Sequence, residues 1–141
     1  MKIRNLKECD SEAISGLLDQ LGYPGTKKFI SEKIKLLWDN PDEYVVVIEN
    51  NEKKVFGFIS IHIIPQIALE GNFARISYFS IDENHRNLGA GKILEEYCEQ
   101  IARERNCDRI EVHCHSKRKK AHKFYYRQGY VESPKYLMKK L

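Results

Sequence analysis

Two stretches of this chain carry residue types that can do chemistry. The first is Phe79-Ser80-Ile81-Asp82-Glu83-Asn84-His85-Arg86-Asn87-Leu88-Gly89-Ala90-Gly91-Lys92, in which a β-rich run passes through a turn into a helical pattern. The first amides of a helix have no intrahelical acceptor and the dipole is positive there. Glycines let an anion approach such a backbone without a Cβ in the way. Arg86 and Lys92 add charge at either end, so the chemistry offered is phosphate binding. The Walker loop needs widely spaced glycines followed by Lys and Ser or Thr, and the dinucleotide loop needs a third glycine; the segment has neither pattern. The second stretch, Ala121 to Tyr130, presents the adjacent phenols Tyr125 and Tyr126 just before Gly129.

Other clusters carry less. Glu111-Val112-His113-Cys114-His115, with Cys107 and His122 nearby, contains metal-ligand types. On a strand, however, His113 and His115 share a face while Cys114 points away, and no paired C-x-x-C or H-x-x-x-H spacing completes a set. No metal is expected. Cys114 on a strand is expected to be an inert buried thiol rather than a nucleophile. Ser116-Lys117-Arg118-Lys119-Lys120, followed by Lys123, is a basic run that reads as a solvated helix start, and no nucleic-acid partner is expected.

The elements that must position these residues follow from periodicity. Asp10 precedes a stripe of Ala13, Ile14, Leu17, Leu18 and Leu21 that predicts a first helix, stopped by Gly22 and Pro24. Thr26 is expected to cap a second, with Phe29, Ile30, Ile34 and Leu37 on one face, ended by Asn40 and Pro41. Tyr44 to Ile48 and Val55 to Ile63 predict a hairpin around a polar loop. Ala74 to Ile81 predicts a strand whose simple alternation puts Ile76, Tyr78 and Ser80 opposite Ser77, Phe79 and Ile81. A helix is expected from Gly89 to about Arg105, a strand from Arg109 to Cys114, and a last helix from Ala121 to Gln128. Short strands are expected at Tyr130 to Glu132 and Tyr136 to Lys140. Strands interrupted by helices imply an α/β (α+β) layer architecture around one central sheet.

At 141 residues the chain suits one domain, read as 1–141, and its 42% hydrophobic and 31% charged residues exclude a disordered or fibrous class. A net charge of +4 needs no more than an anionic ligand to explain it. No stretch reaches the ~20 apolar residues that span a bilayer, and Met1 to Glu12 lacks a secretory core, so a cytoplasmic protein with no membrane partner is expected. There the four cysteines are expected to stay reduced.

Arg86, Gly89 and Gly91 resemble the Arg/Gln-x-x-Gly-x-Gly/Ala signature of the GNAT superfamily of acyl-coenzyme A-dependent N-acetyltransferases. Ala121-His122-Lys123-Phe124-Tyr125-Tyr126-Arg127-Gln128-Gly129-Tyr130 is similar to that family's late helix, often written A-x-x-F-Y-x-x-x-G-F/Y. Both segments occur in the family's order and separation, and the resemblance extends over nearly the whole chain. It implies a single-domain fold with a central mixed, mostly antiparallel sheet flanked by helices, and acetyl-coenzyme A as co-substrate. By the same resemblance, backbone amides of Leu88, Gly89, Ala90, Gly91 and Lys92 hold the pyrophosphate, flanked by Arg86 and Asn87. The main chain of Phe79 and Ile81 pairs with the pantetheine arm, with Ile81 nearest the thioester, and Phe124 adjoins the coenzyme. Ser116, Arg118 or Lys119 meets its phosphates.

Acyl transfer to an amine needs a neutral nucleophile, a donor for the developing oxyanion and a proton for the departing thiolate. The resemblance puts Tyr125 in the general-acid position, with Tyr126 the alternative under a one-residue register shift, and a strand amide near Phe79 at the oxyanion. Tyr23, in the turn between the opening helices, stands where the family lines its acceptor pocket. The chain departs from members that carry a Glu before the phosphate turn, since Arg75 occupies that position. Glu111, Glu70 or a water relay are the substitutes, and no base is assigned. The expected function is therefore acetyl transfer from acetyl-coenzyme A to a primary amine, by direct attack, on a small-molecule or protein acceptor. The alternative is a non-catalytic acyl-coenzyme A sensor or interaction module. A homodimer is compatible with either.

Overall fold

The structure is a computed structural model and describes residues 1–114, 117–133 and 136–141. Five strands form one sheet in the order β1-β2-β3-β4-β5. They are β1 (Lys2–Asn5), β2 (Glu43–Glu49), β3 (Val55–Ile64), β4 (Asn72–Ile81) and β5 (Cys107–Val112). The first four pair antiparallel and β5 joins β4 in parallel, which makes the sheet mixed and mostly antiparallel, as expected. A parallel neighbour needs a crossover, and the helix α3 (Ala90–Glu104) supplies it.

The two faces of the sheet bury separate sets of side chains. On one, α1 (Ser11–Leu21) and α2 (Ile30–Trp38) place Ile14, Leu17, Leu18 and Ile34 against Val47 and Phe58. On the other, Leu94, Cys98 and Ile101 of α3 and Tyr125 of α4 (Lys119–Arg127) pack on Val46, Ile48, Ile59, Ile61, Ala74 and Ile76. Burying each large aliphatic side chain contributes about 1.5–3 kcal/mol, so these stripes fix which helix covers which face.

Several expectations are corrected in detail. Thr26 does not cap α2: it opens a short 3₁₀ turn, its buried hydroxyl bonds Ser15 Oγ at 2.8 Å, and α2 begins at Ile30. Beyond Arg127, none of the described residues forms the strands expected at Tyr130 to Glu132 and Tyr136 to Lys140, because nothing pairs with them. Tyr130 is instead tied back to α3, its hydroxyl donating to Glu95 Oε1 at 3.1 Å.

The correction that matters most lies in β4. Ser60 faces Tyr78 while Ile61 faces Ile76, so Ser77 is an extra residue, a β-bulge. The insertion shifts the alternation by one. Ile76 therefore shares the α3 face with Phe79 and Ile81, while Ser80 points to the other side and donates from Oγ to the Leu17 carbonyl.

Candidate active site

The turn after β4 is held from both sides of the chain. Asp82 N donates to the Phe56 carbonyl at 2.8 Å, and the Asp82 carboxylate accepts from Gln20 Nε2 at 2.7 Å. His85 Nδ1 lies 2.6 Å from Asp82 Oδ2, and its ring stacks on Phe56 with centroids 4.9 Å apart. The Gln20 hydrogen bond, followed by that of His85, holds the Asp82 carboxyl below its ordinary range, so it stays an anion and keeps the clamp. Arg86 Nε reaches back to the Ile81 carbonyl at 3.4 Å.

From this anchor the chain enters α3 through two left-handed residues, Asn87 at φ 68° and Gly89 at φ 82°. Gly89 is the N-cap and brings no side-chain acceptor, and the first turn of α3 carries no acidic residue. The opening amides of Ala90, Gly91 and Lys92 thus have neither an intrahelical nor an acidic partner, which leaves a positive helix end free for an anion. Leu88 is exposed beside it, and Lys92 pairs with Glu96 at 2.9 Å.

The second component is a parting of strands. Pairing of β4 with β5 ends at Ile76 and Val112, just before the bulge, and residues 77–81 of β4 continue with no β5 partner. A cleft of about 340 Å³ opens where the two strands part. Its floor is Ile76 to Phe79, and its walls carry Tyr23, Tyr125, Tyr136, His113 and Arg118. Tyr23 meets Tyr78 edge-on with centroids 5.3 Å apart, and His113 stacks on Tyr136 at 4.2 Å.

Tyr125 is buried at 8% exposure, whereas Tyr126 is 53% exposed, so Tyr125 is the phenol that faces inward. Its ring is held edge-on by Phe79, Phe124 and Tyr130. Its hydroxyl has no hydrogen-bond partner among the described residues. Burial, and then the nearby Cys114, push the phenol well above its ordinary range, so it keeps its proton across physiological pH. Phe124, beside it, packs against Gly91 and edge-on to Phe79, linking α4 to both the helix end and the free strand edge.

Other sequence candidates fall elsewhere. Ser116 and His115 lie outside the described residues. Arg118 is at the cleft beside Tyr125 and Cys114. Glu111 is bound to Arg75 across the β4–β5 ladder at 2.9 Å and lines a different groove, on the β5 and α4 side. Glu70 is exposed in the loop before β4. Among the described residues no group of three or more His, Cys, Asp or Glu side chains could hold a metal ion. His113 was weighed from sequence only as a metal ligand; its place in the cleft depends on where β5 stops, which no local pattern announces.

A helix end opened by a left-handed glycine lies next to a strand whose pairing with β5 stops at a bulge. Residues 13–130 match the acetyltransferase (GNAT) family, and the chain belongs to that family. No curated protein sequence matches the chain. The fold is similar to that of a transcriptional regulator from Bacillus halodurans, at 19% identity and a TM-score of 0.89 over 99% of both chains. It is also similar to glucosamine-6-phosphate N-acetyltransferase from Arabidopsis thaliana, at 22% identity and 0.86 over 99% of this chain and 97% of that one. A GNAT family acetyltransferase from Staphylococcus aureus matches at 22% and 0.81, over 99% and 98%. At these identities the likeness is one of fold. Among the described residues no helix is long and apolar enough to cross a membrane.

Proposed function

We propose that the protein is an acetyl-coenzyme A-dependent N-acetyltransferase acting on a primary amine. The observation that carries this reading is the continuity between the unpaired edge of β4, residues 77–81, and the uncapped start of α3. The amides from Leu88 to Lys92 suit a pyrophosphate, and the free edge suits an amide-bearing arm that completes the sheet. Because Ile81 adjoins the turn, an arm running back along β4 brings its far end beyond Ile81, the residue expected nearest the thioester, to Phe79 and Ser77, which line the cleft as Ile81 does not.

The co-substrate supplies an activated acetyl thioester. The chain supplies the surroundings: the freed amides at the bulge are donors for oxyanion charge, and Tyr125 offers a protonated hydroxyl to sulfur. A phenol is intrinsically less acidic than a thiol, by about 1.5 pK units for Tyr against Cys, and burial widens that gap. Tyr125 therefore acts chiefly by donating a hydrogen bond to the developing thiolate. Tyr23, which lines the same cleft as Tyr125, contacts the acceptor, a small molecule or a protein amine. A cytoplasmic location suits the free cysteines.

The test is incubation with acetyl-coenzyme A and a panel of amines while free thiol is followed, with coenzyme A binding measured separately by calorimetry. Turnover with binding supports the enzyme; no affinity for coenzyme A ends the proposal. The second reading, a non-catalytic acyl-coenzyme A sensor, is favoured by Arg75, which occupies a position where some members carry a carboxylate and which engages Glu111. Binding without turnover on any amine would select it.

A further inference from the structure

An amine reaches an active site mostly as an ammonium, which has no lone pair, so something in the cleft must take a proton before attack. The titratable or charged side chains among the described residues that line the cleft are Tyr23, Tyr78, Tyr125, Tyr136, His113 and Arg118. No carboxylate is among them. Guanidinium cannot accept a proton, and neutral phenols are too weakly basic to do so near pH 7. Imidazole is the one side-chain type in the set that accepts and releases protons in the neutral range.

Placement agrees with chemistry. His113 is the first residue beyond β5, at the point where β4 and β5 part, so it stands beside the bulge at Ser77. Its ring is fixed by stacking on Tyr136, with the planes 5° apart, and it makes no hydrogen bond to a described residue. It is exposed, so a proton it gains can pass to solvent. Facing it are Tyr136 from the C-terminal segment, Arg118 and Tyr125 from the α4 side, Tyr78 from β4 and Tyr23 from the turn after α1. Glu111, Cys114, His122, Tyr126 and Glu132 line the adjoining groove, to which His113 also contributes.

We propose that His113 is the general base of the reaction, an assignment that rests on the N-acetyltransferase reading above. The ammonium gives one proton to an imidazole nitrogen of His113, which frees the nitrogen lone pair. The nitrogen then attacks the thioester carbonyl, forming the C–N bond as the carbonyl π pair moves onto oxygen beside the bulge amides; when that pair returns, the C–S bond breaks and its electrons leave on sulfur beside the Tyr125 hydroxyl. The remaining surplus proton on nitrogen passes to the thiolate, and the imidazolium returns its proton to water.

The experiment compares wild type with His113→Gln, using tyramine, an ammonium at neutral pH with a ring suited to tyrosine walls, and hydroxylamine, which is already largely unprotonated there. The assignment expects tyramine-dependent thiol release to fall by about 10²-fold or more. The rising limb of its pH profile should disappear, and added imidazole should restore part of the rate. Hydroxylamine-dependent release in excess of the enzyme-free rate should change little, and so should the thermal shift produced by coenzyme A. A readout without turnover is carbethoxylation of His113 by diethyl pyrocarbonate, followed by mass spectrometry, which acetyl-coenzyme A should slow. An unaltered tyramine pH profile in the variant overturns the proposal, as does equal loss with both amines. Absence of any coenzyme A shift in wild type instead overturns the functional reading beneath it.

Discussion

Gly91 sits directly beneath the ring of Phe124: a Cβ at this position would lie 3.1 Å from Phe124 Cε1 and 3.4 Å from Cζ. The second glycine of the turn into α3 thus has a packing role as well as leaving the helix end open. Replacing a helical glycine with alanine ordinarily gains about 1 kcal/mol. Here overpacking costs about 1–3 kcal/mol, because Phe79 and Tyr125 hold the Phe124 ring in place. Gly91→Ala should therefore lose about 1 kcal/mol in thermal unfolding, and adding Phe124→Leu should make the pair non-additive. A more stable Gly91→Ala protein would mean that the ring yields freely.

Gly89 differs from it in a useful way. No atom lies within 4 Å of a Cβ built there, so space is not the constraint; the constraint is φ at +82°. Gly89→Ala should cost about 1–2 kcal/mol and weaken coenzyme A binding by calorimetry. Gly89→Asn, whose side chain tolerates left-handed backbone, should cost less.

Tyr125→Phe removes one hydroxyl while the ring keeps its contacts with Phe79, Phe124 and Tyr130. Turnover should fall by about 10-fold to 10²-fold with little change in coenzyme A affinity, since a single charge-assisted hydrogen bond is at stake. Tyr126→Phe, at an exposed site, is the matched control and should match wild type.

The Arg4 guanidinium donates to Asp10 at 2.8 and 2.9 Å and to Glu49 at 2.8 Å, joining β1 to the start of α1 and to β2. Burial pushes the Asp10 carboxyl up, but hydrogen bonds from Arg4 and the Lys7 amide outweigh it, leaving the carboxyl below its ordinary 3.8. An acid whose folded pKa is depressed adds stability above its unfolded pKa and loses it as pH falls through the folded value. Denaturant midpoints should therefore hold above about pH 4 and drop below it. Asp10→Asn should remove that component and cost about 1–2 kcal/mol at pH 7, because Arg4 loses one carboxylate partner but keeps Glu49.

Much of this architecture is legible in the chain because its signals are local. The stripe of α1, the β-branched hairpin strands and the glycine-bearing turn each announce themselves within a dozen or so residues. Tyr125 is picked out by resemblance, and the structure buries it while Tyr126 is exposed. The bulge at Ser77 is not legible, since Ile76-Ser77-Tyr78-Phe79-Ser80-Ile81 reads as an unbroken alternation and only the cross-strand partners Ser60 and Ile61 reveal the extra residue. β1 is too short to be periodic, and its pairing with β2 is wholly non-local. The place of His113 follows from where two strands separate, which is likewise a fact of pairing.

The free edge of β4 has a consequence for the lifetime of the protein. Residues 77–81 have no β5 partner among the described residues, so the β4–β5 ladder stops short of the end of β4. A ligand that occupies that gap stabilises only the folded chain, by about 2.7 kcal/mol at a concentration 100 times its Kd. A shortage of such a ligand would then shorten the survival of the folded chain itself.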